Sequence, residues 1–284
     1  MSKYRLLDCG NGQKVEILGD YKVIRPCPQA IWKPFNPKLW EDADSLFERT
    51  TGEKGTWKAL KNPDNQKRNK LGGGTPENWE VKSDSGITWR IRPNDFGNIG
   101  VFTEHWQYAP SLVNFFDKKG KILNLFCYTG SNNIDLVKAG YKVTVVDSSS
   151  VALDDYTHNL GLNRLSRDGQ RLILEDVHKF IVREVRRKAQ YDGIICDAPS
   201  FGRGTKGEVF NIEEDLIKLL EACKELLSPK GKVVLTLHSP RFTPRILETV
   251  CAQLFPKKKV EVSEILNPCE SGVKLPSGFL VKIG

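Results

Sequence analysis

From residue 121 onward the chain alternates, five times over, between a short apolar run and a longer stretch of helical spacing. The apolar runs lie in KILNLFCYTG (121–130), KVTVVDSS (142–149), RLILEDV (171–177), YDGIICDAP (191–199) and KGKVVLTLHSP (230–240). Between them come NIDLVKAG, VALDDYTHNLGLN, a stretch around Val182, and EEDLIKLLEACKELL. Short runs of Val, Ile and Leu suit strands buried on both faces, and parallel strands need the crossover that an intervening helix supplies. The tail after residue 257 reads as two more strands joined by a hairpin-like loop. The expectation is an α/β fold, a doubly wound Rossmann-like sheet closed by a terminal antiparallel pair.

The first hundred residues have a different rhythm. KYRLLDCGNGQKVEILGDYKVIRP (3–26) breaks its apolar segments at Gly-Asn-Gly and Gly-Asp, both turn signals. NPKLWEDADSLFERTTG (36–52) carries Leu39, Trp40, Ala43, Leu46 and Phe47 at helical spacing, between an Asn-Pro start and a Gly stop. GTWKAL reads as a strand, 62–74 as a polar loop, and WEVKSDSGITWRIRP (79–93) as a hairpin. These elements predict a small N-terminal α+β domain, strand-strand-helix-strand-strand, over 1–100, followed by a larger domain over 101–284.

No apolar run approaches the length of a membrane span, and the first residues lack the apolar core of a signal peptide, so a cytoplasmic protein without a membrane partner is expected. Seven cysteines are scattered with no Cys-x-x-Cys pair, and four histidines are equally dispersed, so neither disulfides nor a metal site is predicted. A net charge of +8 permits a polyanionic partner without requiring one. The basic runs at 58–74 and 183–188 read, taken alone, as a solvated loop and a solvated helix face.

In doubly wound sheets ligands bind beyond the carboxyl ends of the strands. Here nearly every such end carries a polar group: Phe126 to Ser131 after the first strand, Asp147 after the second, Glu175 and Asp176 after the third, Asp197 after the fourth. A dinucleotide would want G-x-G-x-x-G, whose amides meet a pyrophosphate, but the first turn has only Gly130. S-adenosylmethionine has no phosphate. Asp147 can accept its ribose hydroxyls and Asp176 its adenine amine, so the pattern fits that ligand better than a nicotinamide dinucleotide. A methyl donor there brings its sulfonium near Asp197, Ala198, Pro199, Ser200 and Phe201. Asp197 and the Ala198 carbonyl can accept hydrogen bonds from a base, Pro199 stiffens the turn, and Phe201 offers a stacking surface.

With these residues in view, the chain resembles the class I S-adenosylmethionine-dependent methyltransferases, and among them those that modify cytosine C5 or guanine N7 of 23S ribosomal RNA. ILNLFCYTGSNNIDLVKAGYKVTVVDSS resembles the first two cofactor motifs of that family and LEDVHKFI the third. DAPSFGRGTKGEVF resembles its Asp-Pro-Pro-(Ser/Thr)-Phe motif, and GVFTEHW the segment before its catalytic domain. The resemblance implies S-adenosyl-L-methionine as cofactor, held by Phe126, Tyr128, Thr129, Gly130, Ser131, Asp147, Ser148, Asp176, Val177 and Asp197. It implies catalytic roles for Asp197, Pro199, Ser200 and Phe201, an RNA-holding N-terminal module, and 23S ribosomal RNA or a large-subunit precursor as partner. Arg203 and Lys206 would then meet RNA phosphate.

Two departures narrow the chemistry. Cytosine C5 methylation needs a thiolate to attack the ring. This chain has Ser200 at one of the two positions where the family keeps that cysteine, and His238-Ser239 at the other; Cys196 should point into the sheet. A nitrogen acceptor is therefore expected. Trp106 stands where the family often has Arg. His238 reads as a strand-end residue. A methyltransferase for a protein or small molecule and a catalytically inactive RNA-binding module remain as competing readings.

Overall fold

The computed structural model describes residues 3–52, 54–60, 77–116, 120–203 and 209–284. They divide into Met1–Trp106 with Leu266–Pro276, and Gln107–Ile265 with Ser277–Gly284.

The first unit opens with a meander, β1 (Tyr4–Gly10), β2 (Gln13–Leu18) and β3 (Tyr21–Pro26). Gly10 pairs with Gln13 across a two-residue link, Asn11 (φ 53°) and Gly12 (φ 73°). Positive φ at both positions matches the right-handed twist of the flanking strands, which is why Asn-Gly recurs in such turns. β4 (Ser45–Thr51) and β5 (Lys54–Ala59) complete a sheet in the order β1-β2-β3-β4-β5, and β6 (Trp79–Lys82) pairs with β7 (Thr88–Ile91) as a separate hairpin.

The helix expected over 36–52 is not there. Pro37–Trp40 form a single 3-10 turn and Ser45–Thr51 a strand that runs parallel to β3 and antiparallel to β5. Burial decides between the two periods. Ala43, Ser45 and Phe47 are buried while Asp44, Leu46 and Glu48 are only partly so, an alternation of two that a helix cannot satisfy. Asp42, at φ 56°, breaks the chain just before it. Most of the basic loop at 58–74 lies outside the described residues.

The division at residue 100 also shifts. Trp106 stacks on Trp89 at 5.8 Å and meets the Tyr4 ring edge-on, so the first unit extends to it. The tip of the C-terminal hairpin belongs to the same unit. Glu270 and Ser271 donate backbone N–H groups to the carbonyls of Leu6 and Leu7, and Cys269 packs its sulfur 3.7 Å from that of Cys9. Ser271 Oγ also donates to Asp8, which accepts from the Asn36 amide and the Trp40 indole. Burial alone would raise the Asp8 carboxyl, but these donors hold it below its usual value.

A second buried acid anchors the meander. Glu16 is fully buried and accepts from Arg25, from Lys14 at 3.0 Å and from the Tyr4 hydroxyl at 2.8 Å. Desolvation pushes its carboxyl up, yet the two cations win and bring it from 4.5 to about 2. A depressed carboxylate contributes stability that is present above its unfolded value and lost as pH falls towards its folded one. The shift corresponds to roughly 3 kcal/mol. The first unit is therefore expected to lose about that much urea stability between pH ~4.5 and ~2. All six tryptophans lie in this unit, so their fluorescence reports on it. Glu16→Gln should flatten the acid slope and lower stability at neutral pH, because Arg25 is left buried beside an uncharged group.

The second unit begins with α1 (Ala109–Phe115) and proceeds through β8 (Lys121–Leu125), α2 (Ile134–Lys138), β9 (Lys142–Asp147), α3 (Ser150–Leu162), β10 (Arg171–Leu174), α4 (Val177–Arg186) and β11 (Tyr191–Asp197). A ribbon of β12 (Phe201–Arg203) and β13 (Val209–Asn211) follows, then α5 (Ile212–Leu226), β14 (Leu227–Leu237), α6 (Pro244–Leu254), β15 (Val260–Pro268) and β16 (Lys274–Ile283). The seven-stranded sheet runs β10-β9-β8-β11-β14-β16-β15. Five strands are parallel and β16 is antiparallel to β14. The expected doubly wound sheet with a terminal reversed pair is the one observed. Leu123, Leu125, Val146, Ile194, Leu235 and Val281 are fully buried in its core. Because β8 lies between β9 and β11, the chain leaves it first to one side and then to the other, the kind of reversal at which doubly wound sheets bind their ligands.

Candidate active site

The turn after β8 is held in a costly backbone shape. Phe126 and Tyr128 have φ of 56° and 48°, a left-handed conformation rare for bulky residues, and Gly130 follows at 88°. Strain of this kind persists only where the surroundings over-determine it. Here Tyr128 N–H donates to Asp147 Oδ2 at 2.8 Å, Cys127 N–H to the Val146 carbonyl, and Gly130 N–H to the Cys127 carbonyl. From α3, Asn159 donates to the Thr129 carbonyl, and the Tyr156 ring fills the space under Gly130. A Cβ at Gly130 would lie 2.5 Å from that ring, so both conformation and packing require glycine. Thr129 and Ser131 are almost fully buried, and their side chains belong to the support of the loop. Among the described residues, Asn124 Oδ1, Asn132 Nδ2 and Asn133 Oδ1 are buried without a hydrogen-bond partner.

Asp147 joins the first two strand ends. Its two oxygens take the amides of Tyr128 and Ser149, while Ser148 is exposed beside it. Burial is the larger influence and raises its carboxyl above the usual value in spite of these amides. An ionised carboxylate has acceptor capacity beyond these backbone bonds.

Asp176 caps α4 by accepting the Lys179 amide at 3.0 Å. Val177 turns inward to the core. The next residue, His178, to which the sequence assigned no role, meets Phe210 at 5.1 Å with the rings tilted by 43°, and Phe210 in turn meets Phe126 at 5.5 Å. Three aromatic rings, from the turn after β8, the first turn of α4 and the middle of β13, thus make one wall. No local spacing links residues 126, 178 and 210, so this wall could not be read from sequence.

Asp197 ends β11 opposite Thr236 of β14. Its Oδ1 accepts from the Thr236 hydroxyl, and His238 Nε2 lies 3.3 Å away. Ala198 is buried, Pro199 partly buried, and Ser200 exposed with its carbonyl accepting the Ile212 amide. Phe201 opens the β12-β13 ribbon with 56% of its surface exposed, an unusual placement for a phenylalanine fixed on regular structure. Arg203 ends β12; its side chain, like all of Lys206, lies outside what is described. Asp197 thus ends β11 and Phe201 opens β12, with residues 198–200 between them. His238 follows directly on β14, as a strand-end residue, and also belongs to the Asp197 cluster.

All seven cysteines are unpaired and buried. Burial raises the Cys196 and Cys127 thiols well above their usual values, which keeps them protonated.

A family model described as S-adenosylmethionine-dependent methyltransferase matches residues 51–279. Two relatives named ribosomal RNA large subunit methyltransferase K/L were found. The one from Shewanella sp. strain ANA-3 is 31% identical over 165 residues and the one from Dichelobacter nodosus 30% over 215. The alignments take in 57% and 75% of this chain but 23% and 27% of those proteins, so it spans about a quarter of the length of the curated relatives it matches. The crystal structure of a SAM-dependent methyltransferase from Agrobacterium tumefaciens is similar at a TM-score of 0.86 and 33% identity, over 99% of this chain and 90% of that one. A family match across residues 51–279, and a likeness in sequence and fold along nearly the whole of a solved structure, place the chain in one family: it belongs to the S-adenosylmethionine-dependent methyltransferases.

Proposed function

We propose that this methyltransferase acts on RNA, at a base nitrogen of 23S ribosomal RNA or a large-subunit precursor, in the cytoplasm. The observation that carries the reading is the segment after β11, where the Asp197 carboxylate is followed four residues later by the half-exposed ring of Phe201. A carboxylate accepts N–H groups and an exposed aromatic ring stacks on a base; together they suit a flipped nucleobase. The relatives named as ribosomal RNA methyltransferases support the choice of acceptor. The protonated, inward-facing Cys196 and the absence of cysteine at residues 200, 238 and 239 support nitrogen over carbon.

S-adenosylmethionine supplies an electrophilic methyl group on a sulfonium. The residues present fit it. Asp147 offers its remaining acceptor capacity to a ribose, the unpartnered amide atoms of Asn124, Asn132 and Asn133 lie along the segment that would receive a polar amino-acid end, and Phe126 contributes to an aromatic wall beside Asp176 and Val177. Gly130 gives the first turn its shape, its missing side chain leaving room for the Tyr156 ring. Thr129, Ser131 and Ser148 complete this set, the first two by shaping the loop. Asp197 and the Ala198 carbonyl orient the acceptor, Pro199 and Ser200 hold the turn, and positioning supplies most of the rate. Arg203, Lys206 and the first unit serve RNA backbone binding.

The test is transfer of labelled methyl from S-adenosylmethionine to ribosomal RNA lacking the modification, with RNase digestion and identification of the product nucleoside. Label that survives RNase moves the acceptor to protein or a small molecule. Cofactor binding with no transfer to RNA or subunits rejects the RNA reading. Phe201→Ala is expected to raise the KM for RNA about tenfold, from the loss of one base–aromatic stack. Cofactor affinity should not change; an unaltered KM would remove Phe201 from the acceptor site.

A further inference from the structure

Methyl transfer, as derived so far, gives His238 no task, yet the fold goes to some length to place it. The residue follows directly on β14, and its Nδ1 lies 2.9 Å from the Ser277 carbonyl on β16. Gly278, at φ 109°, stands beside it; a Cβ there would come within 2.8 Å of Nδ1 and 2.4 Å of the Leu237 carbonyl. Any side chain at 278 would push the ring out. On its other edge Nε2 faces Asp197 Oδ1 at 3.3 Å, with a third of the side chain exposed.

These contacts constrain the protons. A backbone carbonyl only accepts, so Nδ1 carries a hydrogen. A neutral imidazole would then present the lone pair of Nε2 to a carboxylate oxygen, two acceptors facing each other. A hydrogen on Nε2 removes the conflict and makes an imidazolium–carboxylate contact, a charge-assisted hydrogen bond. Thr236 on the same strand donates to the same oxygen and fixes the carboxylate plane from a second direction.

We propose that His238 is a positioning residue for methyl transfer: as an imidazolium bridging Ser277 and Asp197, it keeps that carboxylate ionised and in a single orientation toward the acceptor. The inference rests on the reading of Asp197 as the group that meets the acceptor. It assigns no bond-making to His238. The methyl passes from sulfonium to acceptor nitrogen as the S–C bond breaks and the N–C bond forms, and any proton on that nitrogen is released to solvent, so Asp197 stays ionised throughout.

Two measurements test it. Nitrogen-15 NMR of histidine-labelled protein near neutral pH is expected to show one ring with both nitrogens protonated, its signals identified by their absence in His238→Gln. In Asp197→Asn the same ring should revert to the neutral form protonated on Nδ1 alone. His238→Gln is expected to lower kcat about 10- to 100-fold, the range of a misplaced reacting group. The affinity for S-adenosylhomocysteine and the melting temperature should be kept. In an Asp197→Asn background the same change should cost nothing further. An unprotonated Nε2 in the wild type, full kcat in His238→Gln, or strictly additive losses would each overturn the assignment. If wild-type protein methylates no RNA, the reading of the acceptor fails, while the NMR result still decides the His238–Asp197 contact.

Discussion

Asp197→Ala is expected to lower kcat for methyl transfer by about 10²- to 10³-fold while cofactor affinity changes little. The size follows from where the carboxylate sits. It is 9% exposed, held on one oxygen by Thr236 and His238, and placed at the carboxyl end of β11 beside β8. An acceptor nitrogen gains positive charge as the methyl arrives, and a fixed carboxylate stabilises that charge without having to reorganise. In a site of restricted solvent access such an interaction is worth about 3 kcal/mol or more. Asp197→Asn keeps the shape and one acceptor oxygen but loses the charge, so it should fall between the two. Single-turnover rates with saturating cofactor measure the effect. A loss of less than about tenfold in the alanine variant would leave Asp197 with a structural role, as a strand-end acid bonded to Thr236.

Asp147→Ala is expected to weaken binding of S-adenosylhomocysteine about 100-fold, measured by calorimetry. Two losses combine. The ribose loses its charged acceptor, worth about 1.5–3 kcal/mol. The amides of Tyr128 and Ser149 also lose theirs, and Tyr128 stands at φ 48° partly because Asp147 holds it there. Without that bond the strained turn relaxes, and the binding shape must be restored at the ligand's expense. pH gives a second handle. Burial raises the Asp147 carboxyl, so as pH falls through that raised value the acceptor is protonated and affinity declines. The unliganded fold responds in the opposite sense. A carboxyl that binds its proton more tightly when folded gains stability as pH falls, the reverse of Glu16. Unchanged affinity in Asp147→Ala would mean that the ribose is held elsewhere.

Much of the second unit was legible because its signals are local. Strands β8, β9, β10, β11 and β14 are runs of Val, Ile and Leu bounded by turn residues, and every acid noted at their carboxyl ends lies at such an end. A helix such as α6 also carried its marks, Thr243 as the capping acceptor and Pro244 at the first position, although the expectation omitted it. The N-terminal helix failed for a physical reason. Leu39, Trp40, Ala43, Leu46 and Phe47 satisfy a period of 3.6, but Ala43 and Phe47 also satisfy a period of two. A neighbouring strand with unpaired backbone groups settled the matter in favour of β4. The domain boundary was missed because the hairpin tip at Leu266–Pro276 joins β1 through residues more than 250 positions away in the chain.

The sequence by itself determined the alternating sheet, the run of acids along one edge and the single glycine that points to a phosphate-free cofactor, because strand period, turn chemistry and glycine's conformational freedom are properties of neighbouring residues. Only the tertiary structure decided which groups meet there. Asp147 braces a turn nineteen residues earlier, Phe126, His178 and Phe210 close into one wall, and His238 reaches Asp197 across two strands with Gly278 making room. Each of these contacts depends on strand register between segments far apart in the chain, and register is set by the packing of the whole sheet.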